Sequence, residues 1–124
     1  SSRKWDGSGN GFHIAIKDDN IRAGHPQSNN NEADDSLVNV SLSDGNWHHV
    51  AIRWIANNEL ATFVDGVKIG TCSPSGAIRG GNDNLHIGTE PLNFGTKFIG
   101  EIKDVKVVNV NKTDAEILAD FNAG

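Results

Sequence analysis

The chain has 124 residues, enough for one domain with a real core and too few for two. Its formal charge is −5 and its pI is near 5.4, an acidic balance that argues against a phosphate-backbone partner such as nucleic acid. Three Trp, five Phe and no Tyr stand beside 14 Gly; this turn-rich composition favours many short strands, and no apolar run is long enough to cross a membrane as a helix.

Residues 1–11 are polar and glycine-rich around Trp5 and read as a loop. Phe12 to Ile16 alternates, with Phe12, Ile14 and Ile16 on one face, which predicts a half-buried strand. Asp18-Asp19-Asn20 supplies a turn, and Ile21 to Ala23 a short return strand. Residues 24–36 carry no large apolar side chain and predict a long exposed loop. Leu37 to Leu42 predicts the next strand, and Ser43-Asp44-Gly45-Asn46 a turn.

The chain is organised around residues 45–71. Trp47 to Ile55 predicts a strand with apolar residues on both faces, which suits a central position or a bulge near Trp47. Trp47 and Trp54 read as core. Leu60 to Val64 and Val67 to Thr71 form a hairpin through Asp65-Gly66, a pair that favours a tight turn needing positive φ at the glycine.

Residues 72–84 predict another loop, Leu85 to Ile87 a short strand, and Gly88 to Asn93 a turn containing Pro91. Phe98 to Val110 is the longest β run, with a bend at Gly100 and a local irregularity near Lys103-Asp104. Thr113-Asp114-Ala115-Glu116 matches a capping box and starts a short helix whose Ile117, Leu118 and Phe121 must dock on the body.

Asp44-Gly45-Asn46-Trp47-His48-His49-Val50-Ala51 followed by Leu60 to Gly66 resembles the "DGxWHxV" strand and "yVDG" hairpin of the laminin-G/concanavalin-A-like domain superfamily. Leu85 to Gly88, Phe98 to Val105 and the tail Asn111 to Gly124 are similar to three further motifs of that family, in the family's order. The resemblance implies an all-β fold: an antiparallel β-sandwich jelly roll over residues 1–124, with a short C-terminal helix. It also implies that strands normally found ahead of Phe12 are lacking, so that the domain is partial. Such a domain would be a non-catalytic carbohydrate- or protein-binding module, as in lectins and cell-adhesion proteins, and would be secreted or held at the cell surface. The alternative is a structural domain completed by a missing segment or by a neighbouring chain.

The candidate ligand-binding residues lie in the loops. Trp5 offers an aromatic platform, and His25, Gln27, Asn29, Asn30, Asn31, Asn82 and Asn84 offer the planar amides and ring nitrogens that glycans use. Asp18 and Asp19 could meet Asp34 and Asp35 across the sandwich rim to hold calcium, the one cofactor the residues point to; Asp83 and Asp104 are further oxygen donors. His48 and His49 are adjacent, so in a regular strand they point to opposite faces and cannot share a zinc ion. No paired-carboxylate motif, nucleophile elbow, HExxH or phosphate loop occurs, which argues against an enzyme. The one cysteine, Cys72, can form no disulfide within the chain; it is either a partly buried thiol or half of a bond to a partner outside it. Asn39-Val40-Ser41 and Asn111-Lys112-Thr113 fit the glycosylation acceptor pattern.

Overall fold

A computed structural model describes residues 13–17, 20–24, 36–74, 85–90 and 93–124. Eight strands and one helix follow in the order β1 (His13–Lys17), β2 (Asn20–Gly24), β3 (Ser36–Asn39), β4 (Val50–Ile55), β5 (Glu59–Val64), β6 (Val67–Cys72), β7 (Thr89–Glu90), β8 (Asn93–Lys97) and α1 (Asp114–Ala123). They build two three-stranded antiparallel sheets, β1-β2-β3 and β4-β5-β6, and a two-stranded ribbon, β7-β8.

The β5–β6 hairpin forms as its sequence dictates. Asp65 and Gly66 both take positive φ, 50° and 77°, and Val64 pairs directly with Val67. Two positive φ values make a mirror-image turn whose twist matches that of the strands it joins. The β4–β5 connection is closed by the Asn58 N–H donating to Ile55 O at 3.0 Å, with Asn57 at φ 56°.

Strand β5 is the centre of its sheet, and Leu60, Ala61, Thr62, Phe63 and Val64 are all buried. β4 is half-buried along its length, partly covered on both faces as expected of the Trp47 strand, but it stands at the edge of its sheet, and the central, fully covered strand is β5. The register sets Ala51 and Arg53 opposite Phe63 and Ala61. Helix α1 covers this face: Ile117 packs with Ala61 and Phe63, and Ala51 lies against them. β2 and β3 lie beside β5 and β6, and Ile21 and Ala23 of β2 are fully buried.

The helix carries the predicted capping box. The Glu116 N–H donates to Thr113 Oγ1 at 3.2 Å, and the Thr113 N–H donates to Glu116 Oε2 at 2.7 Å.

Several expectations need correction. Phe98 to Val110 is not a strand. Phe98 N donates to Gly88 O at 2.9 Å, but no further backbone bond among the described residues ties 99–111 to another element. Gly100 and Asp104 sit at φ 152° and 54° and interrupt any regular ladder, which places the expected bend and irregularity correctly. Leu85 to Ile87 is also irregular and exposed; the strands nearby are β7 and β8, whose Asn-Phe-Gly-Thr-Lys sequence gives little alternation to read. β3 ends at Asn39, short of the predicted Leu42, and β4 begins at Val50 after Trp47-His48-His49. The strand irregularity falls between Thr62 and Phe63 in the β5–β6 pairing, not near Trp47. Ile14 and Ile16 are exposed because β1 is an edge strand with nothing over that face among the described residues.

Candidate functional site

One polar cluster on the described surface lies where two Asp-Gly turns meet. Asp44 folds its turn on itself: the Asn46 N–H donates to Asp44 Oδ1 at 2.8 Å, and Asn46 Nδ2 to Asp44 Oδ2 at 3.0 Å. Asp65 opens the β5–β6 turn, and its Oδ1 accepts the His49 N–H at 2.9 Å, while the Asp65 N–H donates to His49 O at 2.8 Å. The His48 ring bridges the two: Nδ1 lies 2.9 Å from Asp65 Oδ2 and Nε2 3.0 Å from Asp44 Oδ1.

The charges shift accordingly. The Asp65 hydrogen bond, then that of Asp44, raises the His48 pKa above its ordinary 6.5. The Asn46 side chain and N–H, with His48, lower Asp44 to about 2. Burial pushes Asp65 upward, but His48 and the His49 N–H outweigh it and hold the carboxyl below its usual value.

Trp47 corrects the expectation that it is core. It is 55% exposed, and the Lys103 ammonium sits 4.9 Å from its ring centroid, a cation–π contact. Trp54 on β4 is half-buried. The His49 ring lies 6.1 Å from that of Phe121 on α1, and its Nδ1 is buried without a partner among the described residues. The two histidines thus have different neighbours, although they precede β4 and no regular strand imposes it.

A second cluster fastens α1 to the sheet. Arg53 Nη1 donates to Lys112 O at 2.9 Å and Asp114 Oδ1 at 2.7 Å, and Nη2 donates to Glu59 Oε1 at 2.6 Å. Lys68 Nζ reaches Glu59 at 3.2 Å and Asp114 at 3.3 Å. Both cations lie near the Phe63 ring, at 5.3 and 5.7 Å from its centroid. This arrangement is structural: every charge is spent within the protein. Lys112 and Asp120 add a further ion pair beside the helix.

The candidate ligand residues Trp5, His25, Gln27, Asn30, Asn82 and Asn84, and the candidate calcium residues Asp18, Asp19, Asp34 and Asp35, lie outside the described residues. Asn29, Asn31 and Asp83 do too. Asp104 is described and exposed. Among the described residues, no three His, Cys, Asp or Glu side chains group closely enough to hold a metal. Cys72 ends β6, half-buried. The His48 cluster was missed in the sequence, although two Asp-Gly turns flanking a histidine four residues from one aspartate were there to be read.

No curated protein matches the chain in sequence. Among solved structures, the chain is similar to an S-layer domain-containing protein (residues 221–444) from Clostridium thermocellum, with a TM-score of 0.57 at 19% identity. That match covers 94% of this chain and 58% of the other, and at this identity it speaks to the fold alone. The family model of the concanavalin A-like lectin/glucanases superfamily, laminin G type, matches residues 1–118. The match runs through both Asp-Gly turns, the Trp47 segment and the first half of α1, in agreement with the motifs read from the sequence, and the chain belongs to this superfamily.

Proposed function

We propose that the chain is a non-catalytic carbohydrate- or protein-binding module of an extracellular or surface protein. The observation that carries this reading is the superfamily match over residues 1–118. The structural neighbour is an S-layer domain-containing protein, and a place at a cell surface is part of the proposal. No helix of the described residues is long and apolar enough to cross a membrane. Recognition would use loops 1–11, 24–36 and 72–84. Trp5 would stack on a sugar ring, with His25, Gln27, Asn30, Asn82 and Asn84 hydrogen bonding around it. Calcium held by Asp18, Asp19, Asp34 and Asp35 would stiffen the rim.

A glycan array with and without calcium tests the reading. Binding that is lost in Trp5→Ala is the expected result. Calorimetry that detects no calcium uptake would remove the metal from it.

One observation favours a second reading, a structural or assembly domain. Ile99, Ile102, Val105, Val107, Val108 and Val110 are all exposed in a run whose backbone has no strand partner among the described residues. An apolar run with unpaired backbone leaves room for a strand from a further segment or a neighbouring chain. The complete jelly roll, with first strands supplied beside this run, goes with that reading. An array with no binding to any glycan would favour it.

A further inference from the structure

The His48 bridge joins segments that the backbone alone leaves separate: the exposed turn at Asp44–Asn46 and the β5–β6 turn at Asp65-Gly66. An ionised carboxylate is only an acceptor, and a neutral imidazole carries one N–H, whereas an imidazolium carries two. With carboxylate oxygens at 2.9 and 3.0 Å from the two ring nitrogens, both contacts are hydrogen bonds only when the ring is protonated. Loss of the proton sets a nitrogen lone pair against a carboxylate oxygen, and one contact must open.

The two sides are unequally held. Asp65 is fixed by the His49 N–H and by its own N–H bond to His49 O, and its turn is covered by Leu118 and Phe121 of α1. Among the described residues, Asp44 is bonded only within its own exposed turn and to His48. The Asp44 side is therefore the one that gives, and that turn leads straight into Trp47, whose ring meets Lys103 of the 98–112 run.

We propose that His48 is a proton-operated clasp: protonated, it holds the Asp44–Asn46 turn against the β5–β6 turn and so fixes Trp47; neutral, it lets that turn and Trp47 move. The groups that act on the ring are Asp65 and Asp44, one from each turn. Immediately ahead of β4, His49 acts on Asp65 and not on the ring. Helix α1 presents apolar Leu118 and Phe121 to the turn, and Lys103 meets Trp47.

The sign follows from the direction of each shift. His48 is raised, so its contribution is complete below its ordinary 6.5 and is lost as pH rises through the higher folded value. Asp44 and Asp65 are lowered, so theirs is present above the ordinary 3.8 and is lost as pH falls through the lower folded values. The clasp is closed between those limits and opens on the alkaline side first. It holds whether the module binds glycan or protein.

The test is an NMR titration of the intact chain, following the His48 ring protons and the Trp47 indole N–H, assigned through His48→Gln and Trp47→Phe. Expected are a His48 midpoint above 6.5 and a Trp47 indole shift with the same midpoint. Asp44→Asn, on the exposed turn, should keep the fold and lower the midpoint. His48→Gln should abolish the Trp47 transition. A His48 midpoint at or below 6.5, or a Trp47 signal that ignores the His48 titration, overturns the proposal.

Discussion

Leu118 lies directly over Gly66: a Cβ placed on that glycine would come 2.7 Å from Leu118 Cδ1 and 3.1 Å from Leu118 Cα. The glycine thus meets two demands at once, the φ of 77° that its turn needs and the close approach of α1. Gly66→Ala should cost about 2–4 kcal/mol, the sum of left-handed strain and overpacking. Gly45→Ala is the control, since its φ is 84° but nothing lies within 4 Å, and it should show the strain alone, about 1 kcal/mol. Urea unfolding of both variants checks this, and Leu118→Ala should relieve part of the Gly66→Ala loss.

What could be read from the sequence was local. The Asp65-Gly66 turn and the Thr113–Glu116 capping box involve residues within a few positions of each other, and both formed as expected. The placement of Trp47 and of Phe98 to Val110 was not legible, because burial of an apolar strand depends on a partner that alternation does not name. The Trp47 motif marked the family correctly, yet the fully buried strand is β5, one hairpin later, since a central strand needs covering on both faces and α1 supplies one of them. The His48 bridge escaped notice because it links residues 17 positions apart through a side chain.

Arg53 is the pin that α1 turns on. Its side chain is 10% exposed and joins Glu59 on β5, Asp114 at the helix start and the Lys112 carbonyl. Arg53→Met keeps the aliphatic packing on Phe63 but leaves Glu59 and Asp114 facing each other with Lys68 as their shared cation. A fully buried pair broken on one side costs about 3–5 kcal/mol; with Asp114 58% exposed and screened, the loss in urea unfolding should be smaller than that. The pH dependence should change with it. The Arg53 hydrogen bond holds Glu59 below its ordinary 4.5 and Asp114 below 3.8. Their contribution is present above those values and is lost as pH falls through the lowered ones. Thermal melts below pH 5 should therefore decline less steeply in Arg53→Met than in the parent chain.

The capping box offers a smaller and cleaner effect. Thr113→Ala removes the oxygen that accepts the Glu116 N–H and frees the Glu116 carboxylate from the hydroxyl. The expected loss is about 1 kcal/mol by urea unfolding. Thr113→Ser should restore most of it. Because Ile117 is the helix residue in the core, a larger loss in Thr113→Ala would mean that undocking of α1 accompanies the fraying of its first turn.

The exposed run after Phe98 decides between ligand binding and assembly as the chain's main task. Ile99 is 97% and Val107 62% exposed, so lysine at either position removes no packing from the described body. Substitutions at such sites change stability by about 0.5 kcal/mol or less. The same lysines blunt an edge by setting charge where a strand from another molecule would dock. The double variant Ile99→Lys, Val107→Lys should therefore unfold in urea like the parent, while concentration-dependent association in sedimentation velocity falls. Loss of stability by more than about 1 kcal/mol would show that the run is already covered in solution by another part of the chain, and association unchanged by the lysines would take the edge out of the assembly reading.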